Sequence, residues 1–272
     1  MSGEAALFIG GFMAISRRRT LTIPVCSANF MKMIGTILLT LYFFAQSVIQ
    51  NGILDAPNRT AQELNELAAA NHDAFMFMGM ASVLMLVGSV AVPIFSYLLV
   101  IGLEKTSNLK RYILMVLAAA VLTEIPYDWA VSGTPFNFND QCFLWTILIS
   151  LIMLALMKTF SGKSATAVII NIMLLFGGCI WAIFFKSKFG AGFVLMTAVL
   201  YLLREKKGVS IFIGIIISLI YISAPFGFIP VALYSGERKN LDKKACKYGY
   251  YVFCPLIAIC FALAANFFVM KL

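Results

Sequence analysis

Apolar residues are gathered into long runs along this chain, and polar residues stand mainly between the runs. A helix needs about 20 residues to cross the hydrocarbon core of a bilayer, so each run is a candidate transmembrane helix. The pattern predicts an all-α fold: a polytopic transmembrane bundle of about eight spans, some of them short or broken. The runs are 33–54, 74–103, 112–125, 142–157, 165–185, 190–203, 209–233 and 250–270.

The lengths of the runs predict where helices break. The run 74–103 is longer than an upright span requires, and Gly79, Gly88 and Pro93 are expected to kink or break it. Three other runs are short for a full crossing, so we expect them to be extended by flanking residues or to form half-helices inside the bundle. These three begin near residues 112, 142 and 190.

The amino-terminal part of the chain carries a separate, shorter apolar stretch. Residues 5–15 are apolar and are followed by consecutive arginines at positions 17–19, whereas a secretory signal carries its charge before the apolar core. This order predicts an interfacial helix anchored by the arginines. We therefore expect residues 1–30 to be an interfacial or cytoplasmic segment and residues 31–272 to form one integral membrane domain.

The composition supports a membrane protein. Of the 272 residues, 61% are hydrophobic and only 12% are charged, a balance that soluble domains do not reach. The net charge of +9 comes from the connections between runs, as membrane topology requires, so it is no signal for nucleic acid. The six cysteines are scattered, and we interpret them as small buried hydrophobes rather than metal ligands or disulfides.

Basic residues mark alternate connections and so predict the orientation of the spans. They cluster before the first run and after the second, fourth and sixth, which places these connections and the amino terminus in the cytoplasm. The connections 55–73 and 126–141 are poor in basic residues and are expected outside. If the spans alternate in direction, the connection 234–249 would also lie outside. Its basic residues predict the opposite, because basic connections face the cytoplasm under the positive-inside rule. One explanation is that residues 223–227 split the run 209–233.

Few ionisable residues are available for chemistry. None stands in the middle of the six longest runs, which argues against a transporter. The candidate catalytic residues are His72, the only histidine, and the carboxylate pair Glu124 and Asp128, which flank Pro126 at the end of a run. His72 or Glu124 is a candidate general base, and the pair is suited to a cation or an amine. The structural alternatives are a solvated loop histidine and a polar helix end that caps backbone amides.

A series of short motifs runs through the middle of the chain. Their order and spacing, from about residue 31 to 255, resemble the TraX family of membrane proteins, named after the acetylase that modifies the amino terminus of conjugative pilin. The resemblance implies a TraX-like helical bundle in the bacterial cytoplasmic membrane. The motifs are residues 87–103, 105–108, 111–112, 123–128, 141–148, 189–192, 201–204, 233–238 and 250–256.

The departures from the family pattern fall on polar groups. Where the resemblance implies Asp-His after a Leu-Lys, this chain has Tyr42-Phe43 after Met31-Lys32. This chain has Gly88-Ser89 where the resemblance implies Gly-Arg, Ile101-Gly102 where it implies Glu-Gly, and Gln141-Cys142 where it implies Gln-Asn. It has Lys188-Phe189-Gly190 in place of Asp-Tyr-Gly and Cys254-Pro255-Leu256-Ile257 in place of Tyr-Pro-x-His. Glycine and proline are kept, while acid, base and amide groups are lost.

These losses affect the groups that acetyl transfer needs, namely a general base and donors to the oxyanion. The leading hypothesis is therefore a TraX-like protein with degenerate catalysis, acting as a binding, scaffolding or complex subunit. Its pocket, stripped of charge, is expected to be apolar, lined by Tyr42, Phe43, Ser89 and Ile257, and suited to a lipid, an acyl chain or a partner helix. The alternative is an active acyltransferase that moves an acyl group from a coenzyme A thioester to a protein or envelope acceptor.

The candidate ligand-binding residues come from the same regions. Ser89 and Gln141 occupy positions of the motifs, and Arg238 and Lys239 lie in a basic connection suited to the phosphates of coenzyme A or of anionic lipid. Topogenic charge explains that connection equally well. We expect no metal and no resident cofactor, acetyl-coenzyme A being required only under the alternative. The expected partners are the bilayer and a membrane protein or acyl chain, not nucleic acid.

Overall fold

The computed structural model describes residues 26–162, 164–234, 244–268 and 271–272. Within these ranges the regular elements are helical and the extended pairings are isolated bridges, so the predicted all-α class is confirmed. The α-helices are α1 (Ala28–Phe44), α2 (Ala61–Ala70), α3 (His72–Ser89), α4 (Ala91–Lys105), α5 (Leu109–Ser132), α6 (Phe143–Thr159), α7 (Ala165–Phe184), α8 (Gly190–Leu202), α9 (Lys207–Ser218), α10 (Phe228–Ala232) and α11 (Lys244–Leu263). Short 3-10 turns occur at Ala56–Asn58, Leu219–Tyr221 and Ala224–Gly227, and π-helical segments at Ala45–Ile53 and Ala264–Phe268.

Among the described residues, 4 helical stretches are long and apolar enough to cross a membrane. The outer surface is also apolar: on α7, Phe176 is 64% exposed and Phe184 is 76% exposed. Large exposed apolar surfaces of this kind face lipid rather than water. These features indicate an integral membrane protein. The long stretches are Ala28–Ile53, His72–Lys105, Leu109–Ser132 and Ala165–Phe184, and the shorter apolar helices are Phe143–Thr159, Gly190–Leu202, Lys207–Tyr221 and Tyr251–Phe267.

The long second run is broken near the predicted glycine and proline. Val90 alone separates α3 from α4, and Pro93 lies in the first turn of α4, where a backbone N–H has no helical partner. Gly88 allows α3 to approach α1 closely, because a Cβ atom placed on it would lie 2.4 Å from the Cβ of Tyr42. Gly79 lies within α3 in open surroundings and does not interrupt the helix.

α1 continues directly into the π-helical segment Ala45–Ile53. Nothing in the apolar run predicts this wider turn. It buries three polar side chains, Gln46, Ser47 and Asn51, and Asn51 Nδ2 donates to the carbonyl oxygen of Ala130 at 2.8 Å. π-helical turns redirect side chains and are frequent at functional sites. Here the segment ties the end of α1 to α5.

α5 is longer than the run that predicts it. The run 112–125 is extended at both ends, and the helix continues to Ser132. It passes through Pro126, which removes one backbone hydrogen bond without ending the helix. Glu124 and Asp128 were predicted to lie where the helix ends. That prediction is wrong: both lie within α5, and the helix ends one turn later.

The run 209–233 forms a hairpin rather than one straight helix. The chain leaves Lys207 through α9, turns near Ser223 and returns through α10 to Tyr234. Lys207 Nζ donates to the backbone oxygen of Tyr234 at 3.0 Å, so the two ends of the hairpin meet. The predicted split at residues 223–227 is confirmed.

The largest core cluster lies between α4, α6 and α8. α8 is short and surrounded by other helices, and its Phe193, Met196 and Leu200 are fully or almost fully buried. Phe193 meets Phe143 edge to face, with ring centroids 5.0 Å apart. Inside a membrane, helices associate through such close packing because lipid offers no hydrophobic driving force.

Candidate functional site: an elongated cavity

A cavity of about 710 Å³ lies among α1, α4, α5, α6 and α11. Arg111 and Tyr127 both line it. They are sixteen residues apart on α5, which corresponds to about 24 Å along a helix axis. The cavity is therefore elongated, and its volume is in the range of small-molecule sites, roughly 300 to 1,000 Å³.

One end of the cavity is basic. Lys32 in α1, Lys105 at the end of α4 and Arg111 at the start of α5 line it, together with Asn108. Lys105 Nζ donates to the hydroxyl of Tyr234 at 3.1 Å. Lysine and arginine side chains gathered in this way are suited to phosphate oxygens. This end is called the basic mouth below.

The middle of the cavity is apolar. Its walls come mainly from α1, α4, α5 and α6, and among the described lining residues no Asp, Glu, Lys or Arg lies between the basic mouth and the far end. A flexible chain with few polar atoms fits such a passage. The apolar wall residues include Leu39, Leu98, Leu99, Met115 and Ile147.

The far end of the cavity is polar. Lys188 and Gln46 line it, and both contact Asp140. Lys188 Nζ lies 2.9 Å from Asp140 Oδ2, and Gln46 Nε2 donates to the same oxygen at 2.6 Å. Lys188 Nζ also lies over the ring of Tyr42, 5.4 Å from its centroid. This group joins the connections α5–α6 and α7–α8 to α1.

Glu124 lies beside the polar end and bonds to the start of α6. Its Oε2 accepts a hydrogen bond from Trp145 Nε1 at 2.7 Å and from the backbone N–H of Cys142 at 3.4 Å. Cys142 lines the cavity and is 2% exposed. Glu124 Oε1 is buried without a hydrogen-bond partner among the described residues. The carboxylate therefore contacts the cavity wall through Cys142.

Asp128 is buried four residues further along α5 and makes a different contact. Its Oδ2 accepts a hydrogen bond from the backbone N–H of Asn137 at 2.8 Å, which holds the connection between α5 and α6. Asp128 does not line the cavity. Glu124 and Asp128 thus form hydrogen bonds with different parts of the chain. Cys142, which contacts Glu124, lines the cavity, whereas Asn137, which contacts Asp128, does not.

An aromatic pair stands at the far end. The rings of Phe43 and Tyr127, which both line the cavity, are stacked with centroids 5.1 Å apart and planes 20° apart. Tyr127 is 6% exposed, and its hydroxyl finds no hydrogen-bond partner within the described part of the chain. A buried polar group without a partner costs about 1 to 3 kcal/mol. A ligand in the cavity would offer the missing partner.

Two predicted candidates lie away from the cavity. His72 is exposed in the first turn of α3, which Asn71 caps. The Ser89 hydroxyl contacts the Ser223 hydroxyl at 2.8 Å and the backbone oxygen of Leu86 at 2.9 Å, so it holds the turn of the α9–α10 hairpin. Neither His72 nor Ser89 lines the cavity.

The other predicted ligand-binding residues are also separate from the cavity lining. Gln141 is buried, but its Nε2 donates to the backbone oxygen of Asn137 at 3.0 Å, and its backbone pairs with Ser187. Gln141 therefore braces the connection before α6. Arg238 and Lys239 lie outside the described residues.

The predicted lining is partly right. Tyr42, Phe43 and Ile257 line the cavity, but Ser89 does not. The expectation that the cavity is stripped of charge is wrong, because cations line both of its ends, among them Lys188. These cations come from helix ends and connections. A search for ionisable residues in the middle of apolar runs does not register them.

Two residues of the polar end were not predicted. Asp140 stands just before one apolar run and Lys188 between two others, so a pairing of opposite charges in neighbouring connections is a signal that the sequence contains. Gln46 is different. Its contact with Asp140 depends on the π-helical segment, for which the run of apolar residues provides no signal.

The cysteines are more varied than predicted. The structure describes the side chains of five of them, and all five are free thiols. Cys142 is buried, as predicted, whereas Cys260 is exposed. No group of three or more His, Cys, Asp or Glu residues suited to a metal occurs among the described residues.

A comparison with protein families agrees with the motifs of the sequence. A family model described as TraX protein matches residues 67–256. The matched range contains Glu124 and Cys142, whereas α1 with Phe43 precedes it. No curated protein and no solved structure gives a match. Because the matched range covers well over half of the chain, this protein belongs to the TraX family.

Proposed function

We propose that this protein is a membrane-embedded binding protein for an acyl compound with an anionic head, of the coenzyme A thioester class, and that it does not catalyse the family's acetyl transfer. The observation that carries the proposal is the elongated cavity, with its basic mouth and its apolar passage. Phe43 stands at its far end, where the family resemblance implies a histidine.

The basic mouth is the recognition site for the anionic head. The Arg111 guanidinium can hold two phosphate oxygens with parallel N–H donors, and Lys32 and Lys105 add positive charge. A hydrogen bond to a charged group contributes about 1.5 to 3 kcal/mol. A few such bonds at one mouth are enough to select phosphorylated ligands over neutral lipids.

The far end supports binding without the family's chemistry. Phe43 is stacked on Tyr127 and also contacts Phe261, with ring centroids 5.3 Å apart. A phenylalanine ring cannot accept a proton, and a missing general base lowers a rate by about 10² to 10⁴. Packed aromatic rings, including that of Phe43, thus stand where the family resemblance implies a histidine general base.

The same proposal includes the topology. We place the basic mouth and the ends of the α9–α10 hairpin in the cytoplasm of a bacterium, with seven crossings by α1, α3–α4, α5, α6, α7, α8 and α11. The hairpin returns the basic connection after Tyr234 to the side of Lys207, in agreement with the positive-inside rule. The contact between Lys271 and Asp55 supports an outward end of α11.

The test is calorimetric titration of the purified protein in detergent with coenzyme A and acetyl-coenzyme A. We expect saturable binding of both, and Arg111→Gln should weaken it by about tenfold, since 1.4 kcal/mol corresponds to a factor of ten. Lys186→Gln is the matched control, because Lys186 is exposed and does not line the cavity. Absence of binding, or equal loss in both variants, would contradict the proposal.

A second candidate is an active acyltransferase with Glu124 as the base. Glu124 Oε1, which has no hydrogen-bond partner among the described residues and lies beside the cavity wall, favours it. Steady turnover of acetyl-coenzyme A that Glu124→Gln abolishes would establish this candidate instead. His72→Ala is the control for such an assay, since His72 is exposed and outside the cavity lining.

A further inference from the structure

We propose that Cys142 accepts the acyl group of the bound thioester and becomes a protein thioester. This inference rests on the proposed function, because the ligand has to occupy the cavity first. It adds a covalent step and a modification site to simple binding. The chain then stores an acyl group instead of only holding its carrier.

Cys142 stands where the ligand's reactive carbon would arrive. It lines the cavity, and it packs in one cluster with Phe43 and Tyr127 at the far end. An extended arm anchored at Arg111 has to span about 24 Å of α5 to reach Tyr127. The phosphopantetheine arm of coenzyme A is a chain of comparable length, so head and thioester can occupy the two ends together.

Cys142 needs a base to become a nucleophile. It is the N-cap residue of α6, a helix of 17 residues, and burial together with the neighbouring Glu124 carboxylate raises the pKa of its thiol, so the thiol keeps its proton until a base removes it. Cys142 adjoins the carboxylate of Glu124, whose Oε2 accepts hydrogen bonds from the backbone N–H of Cys142 at 3.4 Å and from Trp145 Nε1 at 2.7 Å. Glu124 is thus placed to take the thiol proton.

Tyr127 provides an independent sign of a ligand at this point. Its side chain is more than nine-tenths buried and lines the cavity, yet the hydroxyl has no hydrogen-bond partner among the described residues. A thioester carbonyl oxygen beside Cys142 would accept this hydrogen bond. The same donor would stabilise the oxyanion that forms when the sulfur attacks.

The step is a thioester exchange. The Sγ of Cys142 forms a bond to the acyl carbon, and the bond from that carbon to the sulfur of coenzyme A breaks. The proton of Cys142 passes to Glu124 and then to the departing thiolate, which leaves as free coenzyme A. One thioester replaces another, so no oxidant, reductant or further reactant is needed.

The experiment is intact-protein mass spectrometry of the full chain in detergent, incubated with acetyl-coenzyme A. We expect one added acetyl group that neutral hydroxylamine removes, and its loss in Cys142→Ala. Cys260→Ala is the matched control, because Cys260 is exposed and does not line the cavity, so this change should leave the modification unchanged. Tyr127→Phe keeps the ring against Phe43 and should slow acylation by about 10² to 10³.

The binding measurement and the acylation measurement test the two proposals separately. Calorimetric binding of acetyl-coenzyme A without any added mass would overturn this inference and leave the proposed function standing. Absence of binding would overturn the proposed function itself. An acetyl group that persists in Cys142→Ala but disappears in Cys254→Ala, the variant of another cysteine that lines the cavity, would also overturn the inference. Coenzyme A binding retained in Cys142→Ala demonstrates that this variant is folded.

Discussion

Lys188 Nζ lies 2.9 Å from Asp140 Oδ2, and this ion pair joins the two connections that border the polar end of the cavity. The two side chains are 18% and 26% exposed, so solvent screens them only in part. Gln46 adds a hydrogen bond to the same carboxylate at 2.6 Å. The pair therefore fixes where α6 and α8 begin relative to α1.

Removing one charge of this pair should destabilise the protein. Asp140→Asn leaves Lys188 without its counter-charge, which we expect to cost about 1 to 3 kcal/mol. The double variant Asp140→Asn with Lys188→Met should recover part of that loss, because no unpaired charge remains. Thermal unfolding in detergent, followed by circular dichroism, measures both effects.

The control is the pair of Glu104 and Arg204, which are 3.1 Å apart but 44% and 39% exposed. Glu104→Gln should change stability by less than about 1 kcal/mol, as usual for exposed ion pairs. A cost for Asp140→Asn no larger than for Glu104→Gln would mean that the pair at the cavity is solvated and does not position the connections.

Gly88 is a point of close contact between α1 and α3. An added Cβ would lie 2.4 Å from the Cβ of Tyr42 and 2.8 Å from the backbone oxygen of Leu38. Gly88→Ala should therefore separate the helices and destabilise the protein by about 1 to 3 kcal/mol. Because Tyr42 lines the cavity, ligand binding should weaken as well.

Gly79→Ala provides the comparison within the same helix. No atom of the described residues lies within 4 Å of the Cβ that this change would add. Alanine is the better helix former by about 1 kcal/mol, so the variant should be neutral or more stable. If both alanine variants unfold at the same temperature, the contact between α1 and α3 is looser than described.

The sequence predicts the helices well because a helix that crosses the hydrocarbon core needs a continuous run of apolar residues. The break beside Gly88 and Pro93 and the turn at residues 223–227 follow from backbone chemistry, and both occur. The run 112–125 is extended by its flanking residues, which was one of the two outcomes expected for it, whereas the continuation of α5 past Pro126 was not expected. One lost backbone hydrogen bond does not end a helix that its neighbours hold on both sides of the proline.

The candidate site was harder to predict because its residues come from separate connections. Glu124 was identified from its local pattern, but its partner Trp145 lies 21 positions away along the chain. The pairing of Asp140 with Lys188 bridges 48 positions. Residues so far apart meet only through the packing of whole helices, which local patterns do not encode. A lone histidine, by contrast, attracts attention from sequence alone and proves to be exposed.

The carboxylate of Asp55 should make stability depend on pH in the acid range. It accepts hydrogen bonds from Lys271 Nζ at 2.6 Å and from Asn58 Nδ2 at 2.8 Å. Burial raises the pKa of Asp55, but the hydrogen bonds from Lys271 and Asn58 outweigh it, and the pKa is lowered overall. A lowered pKa adds stability above the unfolded value, about 3.9, that is lost as the pH falls through the folded pKa.

We therefore expect the unfolding temperature to decline below about pH 4, and Asp55→Asn to remove part of that decline. Asparagine suits the site, because Asp55 has a φ of 50° and asparagine tolerates the left-handed region. At neutral pH the variant should lose less than about 1 kcal/mol, since the pair with Lys271 is partly exposed. Identical acid profiles for both proteins would refute the assignment.

The return of the α9–α10 hairpin to its starting side can be measured by labelling from outside the cell. Lys207 Nζ binds the backbone oxygen of Tyr234, so the start of α9 and the start of α11, on either side of the hairpin return, should share one side of the membrane. Gly208 in the first turn of α9 and Gly249 near the start of α11 are suitable sites for single cysteines, because both are exposed and no described atom lies within 4 Å of an added Cβ. An impermeant maleimide applied to intact cells should leave both unlabelled and should react after membrane disruption.

Cysteines introduced at Asn65 and Thr134, which are exposed in connections poor in basic residues, should be labelled in intact cells. The unaltered chain, with its own cysteines, provides the background signal. Labelling at Gly249 together with protection at Gly208 would require a full crossing between them. In that case the basic connection after Tyr234 would lie outside the cytoplasm, and the proposed seven crossings would be wrong.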